Sequence, residues 1–252
     1  MQIFYTRKGL LNVLTGIVFL AVMVGCKKSS EQQAIYTVSR ADGPVKIDAN
    51  WEKGPWQNVP ELEVNNILGE SPGFIPKTVA KIIYDAEYIY VIFRVEDKFV
   101  RALPRRPNDE VWKDSCVEFF FAPDEEQPLY YFNLEVNCGG VPLMKYTTAP
   151  RKEFVTMGPD DFDMLEIAHS MPEVVDPEEE GPLTWTVEYK IPLQLLKKYS
   201  KISTPASGVI WKANFYKIAE ISSNPHYITW SEIRGDEVSF HKPEYFGSLR
   251  FE

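Results

Sequence analysis

The chain is poor in the residues that build metal centres and disulfide frameworks, with only three cysteines and three histidines among 252 residues. His169, His226 and His241 lie far apart with no metal-ligand spacing, so a zinc site is not expected. Basic residues are also short. Lys and Arg number 27 against 36 acids, for a net charge of −9. Nucleic-acid binding is thereby excluded as the working expectation, because it rests on cations meeting phosphates. No apolar run reaches the roughly 20 residues that span a bilayer. The longest, from Leu10 to Val24, is interrupted by Asn12, Thr15 and Gly16. Helical periodicity is nearly missing, since only 192–199, with Pro192 in its first turn, reads as a helix. No internal repeat and no second hydrophobic unit stand out.

The N-terminus carries Arg7 and Lys8, then the apolar stretch, then Met23-Val24-Gly25-Cys26. This order of basic, apolar and small-residue regions reads as a lipoprotein signal peptide over 1–25, with Cys26 as the lipidated first residue of the mature chain. The polar Lys27-Lys28-Ser29-Ser30-Glu31-Gln32-Gln33 suits a tether, taken here as 26–40. The expectation is an exported, outer-membrane-anchored protein of the cell envelope, facing the periplasm or the exterior, with the membrane as a partner through Cys26.

From residue 41 onward the signal is period two. The segment 183–191, Leu-Thr-Trp-Thr-Val-Glu-Tyr-Lys-Ile, alternates apolar and polar residues without a break. Similar strand candidates occupy 45–48, 78–84, 88–96, 115–122, 130–137, 141–147, 165–169, 209–218, 227–231 and 247–251. Many short strands with almost no helix indicate an all-β fold, an antiparallel β-sandwich of jelly-roll type with one short helix, over a single domain 41–252. The acidic, Pro-containing stretch 171–182 reads as a solvated loop. Trp51, Trp56, Trp185 and Trp211 fall on core-facing positions, and Trp230 is better placed in the core than on the surface.

A series of landmarks runs through this domain: Lys46-Ile47-Asp48 with Trp51 and Trp56, Tyr84-Asp85-Ala86-Glu87-Tyr88, Val95-Glu96-Asp97, Trp112 to Phe120, Trp185 to Pro192, Ile228 to Ser231, and Pro243-Glu244-Tyr245-Phe246-Gly247. In order and spacing it resembles family 9 carbohydrate-binding modules and the related DOMON-like sandwiches. The resemblance implies a non-catalytic binder of an oligo- or polysaccharide, with a terminal sugar held in an aromatic clamp. The clamp positions fall on Trp112 and Phe240, the latter three residues before Pro243, where Trp is usual. Glu118 keeps the family's spacing from Trp112 as a hydroxyl acceptor, and the basic and amide positions that follow correspond to Asn133 and Glu135. An exported binder of this type implies glycan-degrading enzymes or transporters as neighbours.

The residues support a shared polar face independently. If 115–122 and 130–137 form a hairpin, Glu118 lies opposite Asn133 and Cys116 opposite Glu135, with Asp114 and Asn137 extending the row. Such a face is either solvated or a hydroxyl-binding surface, and the aromatics at the clamp positions favour the second. His241, beside Phe240, joins the candidate site. Arg105 and Arg106 either solubilise their loop or reach an acidic sugar. Asp48, Asp85, Asp97 and Asp114 recur at strand ends, compatible with structural calcium though without the spacing of a defined loop. Cys138 has the opposite parity to Cys116, so both thiols are expected free.

Two other functions compete. A glycoside hydrolase would use Glu118 and Glu135 as a retaining pair. Adjacent carboxylates on a flat, wet strand pair offer no means of raising one pKa, which argues against it. A haem-binding electron-transfer domain would need axial ligands, for which Met144 and His169 are the available pair.

Overall fold

The structure, a computed structural model, describes residues 1–3, 33–103 and 105–252. The chain divides into two units, 1–32 and 33–252, and the elements described here belong to the second. Cys26 and most of the signal sequence lie outside the described residues.

Fourteen strands make the domain: β1 Ile35–Arg40, β2 Leu62–Val64, β3 Asn66–Ile67, β4 Lys77–Tyr84, β5 Tyr88–Ala102, β6 Cys116–Ala122, β7 Tyr131–Asn137, β8 Pro142–Ala149, β9 Glu153–Thr156, β10 Glu166–His169, β11 Val175–Pro192, β12 Ile210–Ala219, β13 His226–Thr229 and β14 Gly247–Phe251. They form one path, β10-β11-β5-β4-β1-β14-β12-β6-β7-β8-β9, with β2 on β4 and β13 on β12 and β3. The sheet curls so that its two halves face each other as a sandwich. The inner core holds Phe93, Val95, Trp185, Val187 and Tyr189 from one half and Phe119, Phe121, Phe132, Leu134, Trp211 and Phe215 from the other.

Each half also has an outer face, and each outer face is covered. Segment 45–56 packs Val45, Ile47, Trp51 and Trp56 over Val79, Ile83, Tyr90 and Ile92. On the other half, Ile233, Phe240 and Phe246 pack over Cys116, Phe120, Tyr131, Leu143 and Tyr216. Double coverage explains why β5 reads Tyr-Ile-Tyr-Val-Ile-Phe with almost no alternation, since both of its faces are dry there. It also turns 45–48, expected as a strand, into part of a cover.

Four expectations change. The fold is the expected sandwich, but β1 runs parallel to both of its neighbours, β14 and β4. It also occupies 35–40, which composition had assigned to the tether; alternate burial of Tyr36 and Val38 is the pattern that marks it. The stretch 171–182 is not simply a loop, because β11 starts at Val175 and follows β5 to Ala102 across two register shifts. Bulges let a Pro- and Glu-rich segment pair without regular alternation. Finally, among the described residues three short helices occur instead of one: α1 Gly54–Gln57, α2 Pro159–Phe162 and α3 Leu193–Lys197. Only α3 was expected; the other two are single turns opened by Pro, too short for a periodic signal.

Gly247 sits where the two halves of the sheet meet. A Cβ there would come within 2.6 Å of the Ala34 carbonyl oxygen and of the Trp230 ring. Trp230 is itself partly buried against the inner core, edge-on to Phe215.

Candidate functional site

Parity along β6, β7 and β8 separates two sets of side chains. Val117, Phe119, Phe121, Phe132, Leu134, Val136, Met144 and Tyr146 point into the inner core. Cys116, Glu118, Phe120, Tyr131, Asn133, Glu135, Asn137, Leu143, Lys145 and Thr147 are left for the outer face. The expected polar row therefore exists.

Its register differs from the expectation by two residues. Cys116 pairs with Asn137, Glu118 with Glu135, and Phe120 with Asn133. The connection 123–130 is tightened by turns from Asp124 to Gln127 and from Gln127 to Tyr130, a geometry that strand patterning does not encode. A two-residue slip preserves the face, which is why the row survives. The premise of a wet strand pair also fails: Glu118 is only 2% exposed and Glu135 5%.

Two pieces of chain bury them. The segment 231–246 lays Phe240 flat on Tyr216, with ring centroids 4.1 Å apart and planes 13° from parallel. It also sets His241 against Phe120 and joins its Nδ1 to the Tyr131 hydroxyl at 2.7 Å. From the other side comes the 3-10 turn Val111–Lys113, which carries the partly buried Trp112. Between them remains a pocket of about 280 Å³ walled by Trp112, Glu118, Glu135, Phe240 and His241 together with Lys145, Arg151, Glu220, Tyr227 and Ser239.

Five of the seven expected site residues thus meet at one cavity. Asn133 and Asn137 stand apart from its lining. Asn133 is fully buried and donates from Nδ2 to Glu135 Oε1 at 2.9 Å. Asn137 is consumed structurally, donating to Asp114 Oδ2 and accepting from the Val141 amide. Sequence reasoning missed Lys145, Arg151, Glu220, Tyr227 and Ser239. Lys145, on β8, pairs with Asn133 on β7 and shares its parity, so alternation could have found it. Arg151 and Ser239 sit in loops and are tied to each other at 3.1 Å, which no pattern announces.

Burial sets the electrostatics. Desolvation, and then the charge of Glu135, push Glu118 well above the usual carboxylate range. Desolvation raises Glu135 as well, opposed by the Asn133 hydrogen bond and by Lys145. Both carboxyls are therefore held more readily protonated than a solvated glutamate. His241 is lowered to about 4 by burial and by the nearby Arg151 and Lys145, so it is a neutral imidazole at pH 7. Glu135 Oε2 and Asn133 Oδ1 are buried acceptors without a hydrogen-bonding partner among the protein groups. Glu135 lines the pocket, and an unmet acceptor there is costly unless a ligand's donor satisfies it.

The remaining candidates are otherwise engaged. Asp48 pairs with Lys53 and Lys46, Asp85 caps its own turn and takes the Tyr90 hydroxyl, Asp97 faces Lys217, and Asp114 holds Arg105 at 2.7 Å. Among the described residues no three His, Cys, Asp or Glu side chains converge, so the four aspartates do not come together as one ligand set. The Asp114 pair engages Arg105, and both Arg105 and Arg106 line a separate groove with Pro107 and His169. Cys116 and Cys138 are both buried and free, the first in the outer cluster and the second in the inner core. Met144 is enclosed in the inner core, while His169 bonds the Met171 carbonyl, so the two do not present themselves as axial ligands.

Comparison with known proteins bears on this geometry. A candidate carbohydrate-binding protein from Bacteroides uniformis has a similar structure, with a TM-score of 0.78 and 25% identity over 88% of this chain and all of that one. A carbohydrate-binding module of family 9 from Caldicellulosiruptor kristjanssonii, solved with cellotriose, shares the fold at a TM-score of 0.59 and 17% identity, over 87% of this chain and 94% of that one. An extracellular protein of Arthroderma benhamiae is 24% identical over 203 residues, covering 78% of this chain and 87% of the relative. The description of carbohydrate-binding family 9 itself matches residues 52–251, so the chain belongs to that family of non-catalytic binding modules.

Proposed function

We propose that the pocket between the two covers holds a terminal sugar of an oligo- or polysaccharide. Trp112 and Phe240 supply apolar faces to the ring, and Glu118 and Glu135 meet its hydroxyls. The observation that carries this reading is Glu135 Oε2, a buried acceptor without a protein partner on a residue that lines the pocket. Phe240 already gives one face to Tyr216, so only its other face is open to a ligand. A cavity near the lower end of small-molecule pockets suits a single sugar unit. Screening the purified protein on a glycan array, followed by calorimetry with the best ligand, tests the assignment. Binding should be lost or weakened in Glu135→Ala, and a variant that retained full affinity would overturn it.

We further infer that the module is an exported lipoprotein, anchored through Cys26 in the outer membrane and gathering glycan fragments for enzymes or transporters that degrade or import them. The lipobox ending at Cys26 and the polar residues 27–33 before β1 support this placement. Replacing Cys26 by Ser should shift the protein out of the detergent phase, and equal partition of both forms would rule the anchor out.

A further inference from the structure

Strand β9 is the free edge of the β6 to β9 half, and all four of its residues, Glu153 to Thr156, are exposed. It buries nothing for the fold, yet it carries Phe154, at 48% the most exposed aromatic side chain among the described residues. Edge strands usually discourage adhesion with charge or Pro, so an apolar ring on this one runs against that tendency.

The ring is aligned with the pocket. Phe154 pairs with Thr147 and Thr147 with Tyr131, the residue that holds His241. Residues directly opposite one another share a face, so Phe154 lies on the same outer face as the cavity. Lys145, one of the pocket's walls, sets its ammonium over the Phe154 ring at 4.8 Å from the centroid. Arg151, from the turn between β8 and β9, lines the same cavity. Adjacent strands are about 5 Å apart, so the ring begins roughly where the wall ends.

We propose that Phe154, flanked by Lys145 and Arg151, is a platform for the second unit of a saccharide whose end occupies the pocket. The ligand is then an oligosaccharide running from the cavity over the β8–β9 edge, with its second ring stacked on Phe154 and its polar groups within reach of the two cations. The inference rests on the pocket being the sugar site.

Calorimetry on the full chain with glucose, xylose, galactose, mannose and glucuronate, each beside its β-1,4-linked disaccharide and trisaccharide, tests it in wild type, Phe154→Ala, Phe154→Trp and Trp112→Ala. For the series that binds, the disaccharide should be held about three- to tenfold more tightly than the monosaccharide, as expected for one stacking contact. Phe154→Ala should erase that gain at unchanged monosaccharide affinity and unchanged melting temperature, and Phe154→Trp should enlarge it. If the gain survives in Phe154→Ala, or if wild type shows none, the platform is overturned while the pocket stands, provided Trp112→Ala weakens the monosaccharide. If wild type binds no saccharide in the panel, or Trp112→Ala changes nothing, the pocket reading falls and takes the platform with it.

Discussion

The two outer faces of the curled sheet each bury glutamate under a cover, and they treat it in opposite ways. Under segment 45–56, the fully buried Glu188 accepts from the amides of Asp48 and Ala49 at 2.9 and 2.8 Å, from Trp56 Nε1 at 2.9 Å and from Lys53 Nζ at 2.8 Å. Lys81 closes the same cover by donating to the Trp56 carbonyl and lying over the Trp51 ring. Under segment 231–246, Glu118 and Glu135 face each other at a cavity, and Glu135 Oε2 finds no partner in the protein. Identical chemistry at equivalent positions of a strand pattern thus serves as a latch on one side and as an open receptor on the other. What separates them is whether the covering segment brings donors.

The comparison breaks most visibly at the latch. Glu188→Ala leaves three N–H donors unpaired and takes from Lys53 the buried one of its two carboxylate partners, and removing one partner of a buried charge pair typically costs about 3 to 5 kcal/mol. Denaturant titration should show that loss while the folded variant binds sugar as wild type does; altered affinity at unchanged stability would reverse the assignment.

Phe240→Ala tests whether the receptor's cover is also structural. The ring is 6% exposed and stacked on Tyr216, so about 3 kcal/mol of stability should go together with affinity. Affinity lost without any stability change would mark Phe240 as a pure ligand contact.

Acidity sharpens the contrast further. Because Glu118 is raised when folded, the folded chain keeps a proton that the unfolded chain releases near pH 4.3. The stability linked to that proton is complete below about pH 4 and lost as pH climbs through the folded value. His226 and His241, lowered to about 3 and about 4 when folded, act in the opposite sense below pH 6.5. The difference between Glu118→Gln and wild type isolates the glutamate: equal melting at pH 4, and a variant that melts higher than wild type at pH 8. Equal melting at pH 8 would show that the pair is not strained by its charge.

The smallest stability effect belongs to Trp112→Ala. Its position in a 3-10 turn at the pocket rim, only partly buried, predicts several-fold weaker sugar binding with little change in melting. A sharp drop in melting temperature would place it in the core instead.

Much of this was legible in the sequence, for reasons that can be assigned residue by residue. Alternation fixed which face Glu118, Asn133 and Glu135 share, because parity tolerates a two-residue slip. It could not fix that Glu118 faces Glu135, since register depended on the turns at 123–130. Glu188 was visible as a polar position in 183–191, but its meaning required segment 45–56, distant in sequence. The pocket's closure was hidden for the same reason: no local pattern says that 231–246 folds over β6 and β7. β1 was obscured by the polar residues in front of it, although Tyr36 and Val38 carried the signal.

Strand β1 has one more consequence, for the order in which the sheet can assemble. It joins the halves of the sheet by pairing Tyr36 with Leu249 on one side and Arg40 with Tyr84 on the other. Its β4 side can zip early, but its β14 side must wait for Gly247–Phe251, far along the chain. Pairings between distant ends form slowly and leave edges exposed meanwhile. A chain cut before Gly247 would therefore expose one edge of β1 and part of the edge of β12, two adhesive borders in place of a seam.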